Sequence, residues 1–184
     1  MALHKTAVII ILVAAAAVER IWWDLGPNVE LVTLMSVLAA VWFGARFGLI
    51  TAVVSLIISD LVIGNTNIFL FTWSGFAVIG WMGWYLTKLS GLKRILAGGT
   101  FGFLSALWFY GYTNFGVWLI GGLYPPTLAG LAQSYYMGLP FLKLQAVSNA
   151  LLLTVAMIVL ELKVNFNKQS LKVMGSRWNS GAMP

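Results

Sequence analysis

Cysteine is absent from this 184-residue chain, histidine occurs once, and charged residues make up only 9% of it. Without cysteine there can be no disulfide, no thiolate metal site and no cysteine nucleophile. The single histidine, His4, stands beside Lys5 near the start, so neither a histidine-based triad nor a multi-histidine metal site can be assembled. The shortage of charge is the most restrictive absence. Soluble domains carry roughly 25% charged residues, and a chain this poor in them cannot form a hydrated surface. There is also no Walker P-loop, so the chain cannot itself hydrolyse ATP. Gly98-Gly99-Thr100-Phe101-Gly102 lacks both the preceding strand and the lysine, and reads as helix packing. No nucleophile and base pair stands out, which argues against an enzyme, and neither a metal nor a cofactor is expected.

What is present is apolar: 60% hydrophobic residues, 9 Trp and a mean hydropathy of +0.91. These values indicate an all-α integral membrane protein. A spanning helix needs about 20 mostly apolar residues. The charges and Gly/Pro breaks divide the chain into six such pieces: Thr6 to Trp23, Glu30 to Ala45, Phe47 to Gly64, Ile68 to Thr87, Ile95 to Thr113 and Pro140 to Leu162. Ala14 to Ala17 offer a small-residue cleavage site of the signal-peptide kind, but Ile21-Trp22-Trp23 resume the apolar run and supply an interfacial belt, as an uncleaved helix would. The expected organisation is a six-helix transmembrane domain over residues 1–162 and a basic tail over residues 163–184, the latter a short surface helix with a disordered end.

Six spans put both termini on one side. Lys5, Arg46, Lys88, Lys93, Arg94, Lys163, Lys168, Lys172 and Arg177 fall on that side, and Arg20 and Lys143 on the other. By the positive-inside rule the termini are cytoplasmic and the protein is a multi-pass protein of the cell membrane. The net charge of +6 is thus accounted for by cytoplasmic loops rather than by nucleic acid. Glu19, Asp24, Glu30 and Asp60 lie toward the outside and only Glu161 inside, which makes the outer half the functional-looking half.

Small residues recur every fourth position: Ser36, Ala40, Gly44 and Gly48; Thr51, Ser55 and Ser59; Gly98, Gly102 and Ala106. Such ladders bring helix backbones together in lipid, either within the bundle or against a partner subunit.

From Ile95 to Leu123 the chain is almost continuously apolar, about 43 Å if helical, against a hydrocarbon core of about 30 Å. A break is expected at Asn114 and Gly116, followed by a short re-entrant or interfacial element. The loop then closes at Gly121-Gly122 and Pro125-Pro126. Together with Gln133, Ser134, Tyr135 and Tyr136, ahead of a helix break at Pro140, this would form an aromatic outer lid between helices five and six. Asp60 is either a functional intramembrane acid or a helix-end carboxylate paired with Arg20. Asn149, with Gln145 one turn away, is either a site residue or an interhelical hydrogen-bonder. Trp73 and Trp118, taken singly, read as belt residues. Amides, aromatics and an acid converging on one side nevertheless fit a small-molecule pocket.

The segments ERIWWDLGPNVELVTLMSVLAAVWFGARFG, ISDLVIGN, TNFGVWL and YPPTLAGLAQSYYMGLPF resemble the S components of energy-coupling factor (ECF) transporters, over most of Arg20 to Leu160. These small membrane subunits capture vitamins and related micronutrients, and the likeness is to an uncharacterised branch of that superfamily. The resemblance implies a subunit that binds substrate from outside. It then topples in the bilayer against a transmembrane coupling subunit driven by two cytoplasmic ATPases. It also implies a pocket involving Asp60, Trp73, Asn114, Trp118, Tyr124, Tyr135 and Asn149. The sequence departs from the family in one respect. Ala14 to Ala17 are contiguous rather than spaced by four, so the Ser36-Ala40-Gly44-Gly48 ladder is the candidate docking surface. The alternative function is a self-sufficient proton- or cation-coupled transporter or channel using Asp60; a purely structural membrane protein would leave the pocket empty.

Overall fold

The computed structural model describes residues 2–23, 25–26 and 29–179, with side chains for residues 3–23, 25–26 and 29–166. Asp24 and the tail residues 180–184 lie outside the described residues, as do the side chains of Lys168, Lys172 and Arg177. The described residues form six α-helices and no strand: α1 Ala2–Val18, α2 Leu31–Phe43, α3 Ala45–Ile63, α4 Phe69–Met82, α5 Gly91–Ile120 and α6 Leu128–Asn179. A π-helical turn, Glu19–Trp23, extends α1, and a 3-10 segment, Gly83–Lys88, extends α4. Successive helices alternate in direction, so the ends of α1, α3 and α5 gather with the starts of α2, α4 and α6. We refer to this as the Arg20 end.

Among the described residues four stretches are long and apolar enough to cross a membrane: Leu3–Trp23, Ala45–Ile63, Phe69–Lys88 and Leu128–Phe166. Exposed apolar side chains such as Ile10, Leu61, Leu70, Leu96, Leu104 and Leu151 form a surface that lipid would cover, whereas soluble monomers rarely present such extensive apolar patches. At 13 residues α2 reaches only about 20 Å. It is the central helix, with Val32, Val37, Ala39 and Ala40 fully buried against its neighbours. The core joins these residues to Leu56, Phe76, Phe109, Leu153 and Met157.

The joint between α2 and α3 is a single residue, Gly44, whose φ of 100° lies where a side chain would be strained. This tight reversal lays α3 along α2. Backbone contact then continues to α4: a Cβ on Gly48 would collide with the Gly80 carbonyl, and one on Gly80 would lie 2.5 Å from the Gly48 carbonyl oxygen and 3.1 Å from Ser36 Cβ. The Ser36-Ala40-Gly44-Gly48 ladder is therefore not a docking surface. Ser36 and Ala40 are fully buried, Gly48 abuts α4, and Gly44 is the joint itself. Gly98 and Gly102 act likewise against α6, meeting Met157 and the Asn149 backbone, while Ser55 Oγ donates to the Val13 carbonyl of α1 at 3.4 Å.

Two further expectations are corrected. Helix α5 does not break at Asn114 or Gly116 but continues to Ile120, 30 residues in all. Asn114 holds the helix rather than opening it, since its Nδ2 donates to the Tyr110 carbonyl one turn back at 2.9 Å. Gly116 is a packing glycine: a Cβ there would lie 2.5 Å from the Phe71 ring. At its other end α5 starts at Gly91 rather than Ile95 and carries Lys93 and Arg94 in its first turns. Nor does Pro140 begin a helix; it lies inside α6, which starts at Leu128 and continues past Leu162 without interruption. A proline removes one helical hydrogen bond, a loss that spanning helices accommodate. The extended re-entrant lid therefore reduces to a short connection, residues 121–127.

Candidate functional site

The helix ends at the Arg20 end enclose a cavity of about 460 Å³. Its polar centre is built by the π-helical turn. Widening the helix at Glu19–Trp23 turns both Glu19 and Arg20 toward the bundle, and such turns often accompany functional sites. Glu19 is 1% exposed and its Oε2 accepts from the Leu31 backbone N–H at 3.0 Å, so it caps the free N-terminus of α2. Arg20 points its guanidinium at three acceptors from three places in the chain. Nε donates to Ser59 Oγ at 2.9 Å, Nη1 to Glu30 Oε2 at 2.9 Å and Nη2 to Asp60 Oδ1 at 3.2 Å. Trp73 Nε1 donates to the other Asp60 oxygen, Oδ2, at 2.7 Å. The side chains of Arg20, Glu30 and Asp60 are 14%, 21% and 9% exposed, so their charge is screened mainly by one another.

Glu30 lies in the connection ahead of α2. Burial raises its pKa and the Arg20 guanidinium opposes that rise. The opposite wall is apolar and aromatic, including Phe69, Phe109, Tyr110, Tyr124 and Phe141, with the amides of Asn65 and Asn114 set among them. An apolar cavity with a few fixed polar groups is the usual form of a small-molecule site.

Of the residues singled out in the sequence, Asp60, Asn114 and Tyr124 line this cavity. Trp73 stands behind it, orienting Asp60. The other three lie elsewhere. Trp118 Nε1 donates to the carbonyls of Pro125 and Thr127, both at 3.1 Å, and fastens the α5–α6 connection. Tyr135 laces the two helices: its hydroxyl donates to the Gly111 carbonyl at 2.9 Å, while the Tyr110 hydroxyl donates to the Tyr135 carbonyl at 2.6 Å. Asn149 is buried in mid-bundle, 3.4 Å from both Thr33 Oγ1 and Ser105 Oγ, the interhelical role that the sequence left open. Of the two readings of Asp60, the pairing with Arg20 is observed, and it places the acid in the cavity wall.

Arg20 and Glu30 were not among the expected site residues. The signal for Arg20 was an ion-pair-capable Glu19-Arg20 dipeptide interrupting an apolar run, and that for Glu30 an acid at the head of the next one. Gly138 was missed too. It gives Asn114 room on α6, since a Cβ there would lie 2.6 Å from Asn114 Oδ1. Among the described residues no group of three or more His, Cys, Asp or Glu could hold a metal ion.

Residues 2–171 match the family of unknown function DUF6580, and the chain belongs to that family. No curated protein and no solved structure matches it.

Proposed function

We propose that this DUF6580 member is the substrate-capturing subunit of an ECF-type importer for a vitamin or related micronutrient, with the Arg20-end cavity as its binding site. The observation that carries this reading is the cavity itself. At the Arg20 end about 460 Å³ is walled by aromatic side chains around a fixed Arg20-Glu30-Asp60 cluster, whereas a hollow of similar size between α1 and α3 is lined by apolar side chains alone. Pockets for small organic ligands typically span about 300–1,000 Å³.

All six helices cross the bilayer in this reading, α2 at the protein-covered centre where a short helix suffices. The Arg20 end faces outward. Lys5, Arg46, Lys88, Lys93, Arg94 and Lys163 gather at the opposite, cytoplasmic end by the positive-inside rule. Ligand enters from outside, and a transmembrane coupling subunit with its ATPases supplies the energy for release, as the resemblance implies. Because the small-residue ladder of α2 and α3 is buried, such a subunit would meet another face.

A self-sufficient proton- or cation-coupled transporter using Asp60 has less support. Both oxygens of that carboxylate are engaged, by Arg20 and by Trp73, and the positive guanidinium beside it opposes a carried cation.

The test is mass spectrometry of the protein purified gently from its own membranes. The expected result is one small organic molecule per chain together with co-purifying membrane and ATPase subunits. Substrate transport by the protein alone in liposomes would contradict it.

A further inference from the structure

The charges around the cavity do not balance. Among the described residues Arg20 is the only cation in the lining, and it faces two carboxylates, Glu30 and Asp60. Lys143, one residue beyond the lining residue Leu142, is exposed and does not line the cavity. Glu19 adds a further buried carboxylate just behind, its Oε2 accepting from the Leu31 N–H at the start of α2. The two lining acids are not equivalent. Asp60 accepts from Arg20 through Oδ1 and from Trp73 through Oδ2. Glu30 accepts from Arg20 through Oε2 alone, and among the described residues no donor reaches its Oε1. A partly buried carboxylate oxygen without a donor is electrostatically incomplete, more so in a cavity from which a ligand displaces water.

The facing wall is suited to the same complement. Phe69, Phe109, Tyr110, Tyr124 and Phe141 line it, and aromatic rings attract a cation placed over their faces. Asn65 and Asn114 add neutral amides to the lining, and neither brings a second positive charge.

We infer that the cavity selects a small organic cation of single positive charge, an ammonium, amidinium or protonated N-heterocycle on an apolar body, with the cationic N–H group on Glu30 and the body against the aromatic wall. This rests on the small-molecule reading above and goes beyond it by fixing the charge class. Arg20 holds Glu30 and Asp60 apart and in place. Asp60, already doubly engaged, contributes field rather than a direct bond. A bound cation would also favour the ionised form of Glu30 against the burial that raises its pKa.

The probe is the small-molecule fraction of a cell extract, separated on a sulfonate resin into a retained cationic pool and an unretained pool. Each pool is offered to purified wild-type protein and to Glu30→Gln, and bound compounds are read by native mass spectrometry. Wild type should take up one compound from the cationic pool, and Glu30→Gln, isosteric and neutral, should hold it roughly tenfold or more weakly. Thermal unfolding of Glu30→Gln, close to that of wild type, guards against loss of fold. Capture from the unretained pool only, or equal retention by Glu30→Gln, would overturn the charge assignment and leave the small-molecule site standing. Capture from neither pool would overturn both.

Discussion

A single guanidinium organises the Arg20 end, and its consequences can be tested residue by residue. Arg20 supplies a planar fork to Ser59, Glu30 and Asp60, which a lysine ammonium cannot reproduce at three fixed directions. Arg20→Met leaves two carboxylates facing each other and should lower stability by about 3 kcal/mol, with Arg20→Lys intermediate, measured by thermal or denaturant unfolding in detergent. Asn114→Leu keeps the branching and number of side-chain heavy atoms but loses the amide from the cavity wall. It should weaken ligand binding by roughly tenfold and shift unfolding little. Asp60 could be read from sequence because an acid near an apolar helix end is conspicuous. Trp118 and Tyr135 could not be separated from true lining residues, because an aromatic at a helix end serves equally as wall, belt or lace. Only the three-dimensional partners of their polar atoms decide.

Helices were legible to within a few residues where charge or a positive-φ glycine ends them, as at Gly44 and Gly64. The errors came where a residue type with two uses was read as a breaker. Asn114, Gly116 and Pro140 all lie within continuous helices, because hydrogen bonding to Tyr110, packing under Phe71 and the tolerance of spanning helices for proline prevail over local propensity. Glycine position within an element makes the sharpest contrast. Gly48→Ala drives a Cβ into the Gly80 carbonyl, where no side chain can yield, and should destabilise the protein by about 3 kcal/mol or prevent folding. Gly111→Ala has open space within 4 Å and sits inside α5, so it should be neutral or stabilising by up to about 1 kcal/mol. Gly138→Ala falls between: it displaces only the Asn114 amide, and should spare the fold while lowering ligand affinity. Parallel unfolding and binding measurements on the three variants would order them in this way.

At the scale of the molecule, composition alone marked the chain as apolar and helical, and the charge distribution marked one end as polar. The cavity was legible only as a convergence of polar residues, since its volume depends on how six helix ends meet. The absence of cysteine makes topology directly measurable. Thr66→Cys and Leu123→Cys should react with a membrane-impermeant maleimide from outside intact cells, and Lys88→Cys only after permeabilisation. The central claim, that the Arg20-end cavity binds a small molecule and the mid-bundle polar cluster merely packs helices, is tested most directly by tryptophan-fluorescence titration with the compound that co-purifies with the protein. Wild type and Asn149→Leu should saturate at one ligand per chain with the same affinity, and Asn114→Leu should bind more weakly. The absence of saturable binding to wild type, or weakened binding in Asn149→Leu with Asn114→Leu unchanged, would contradict the account.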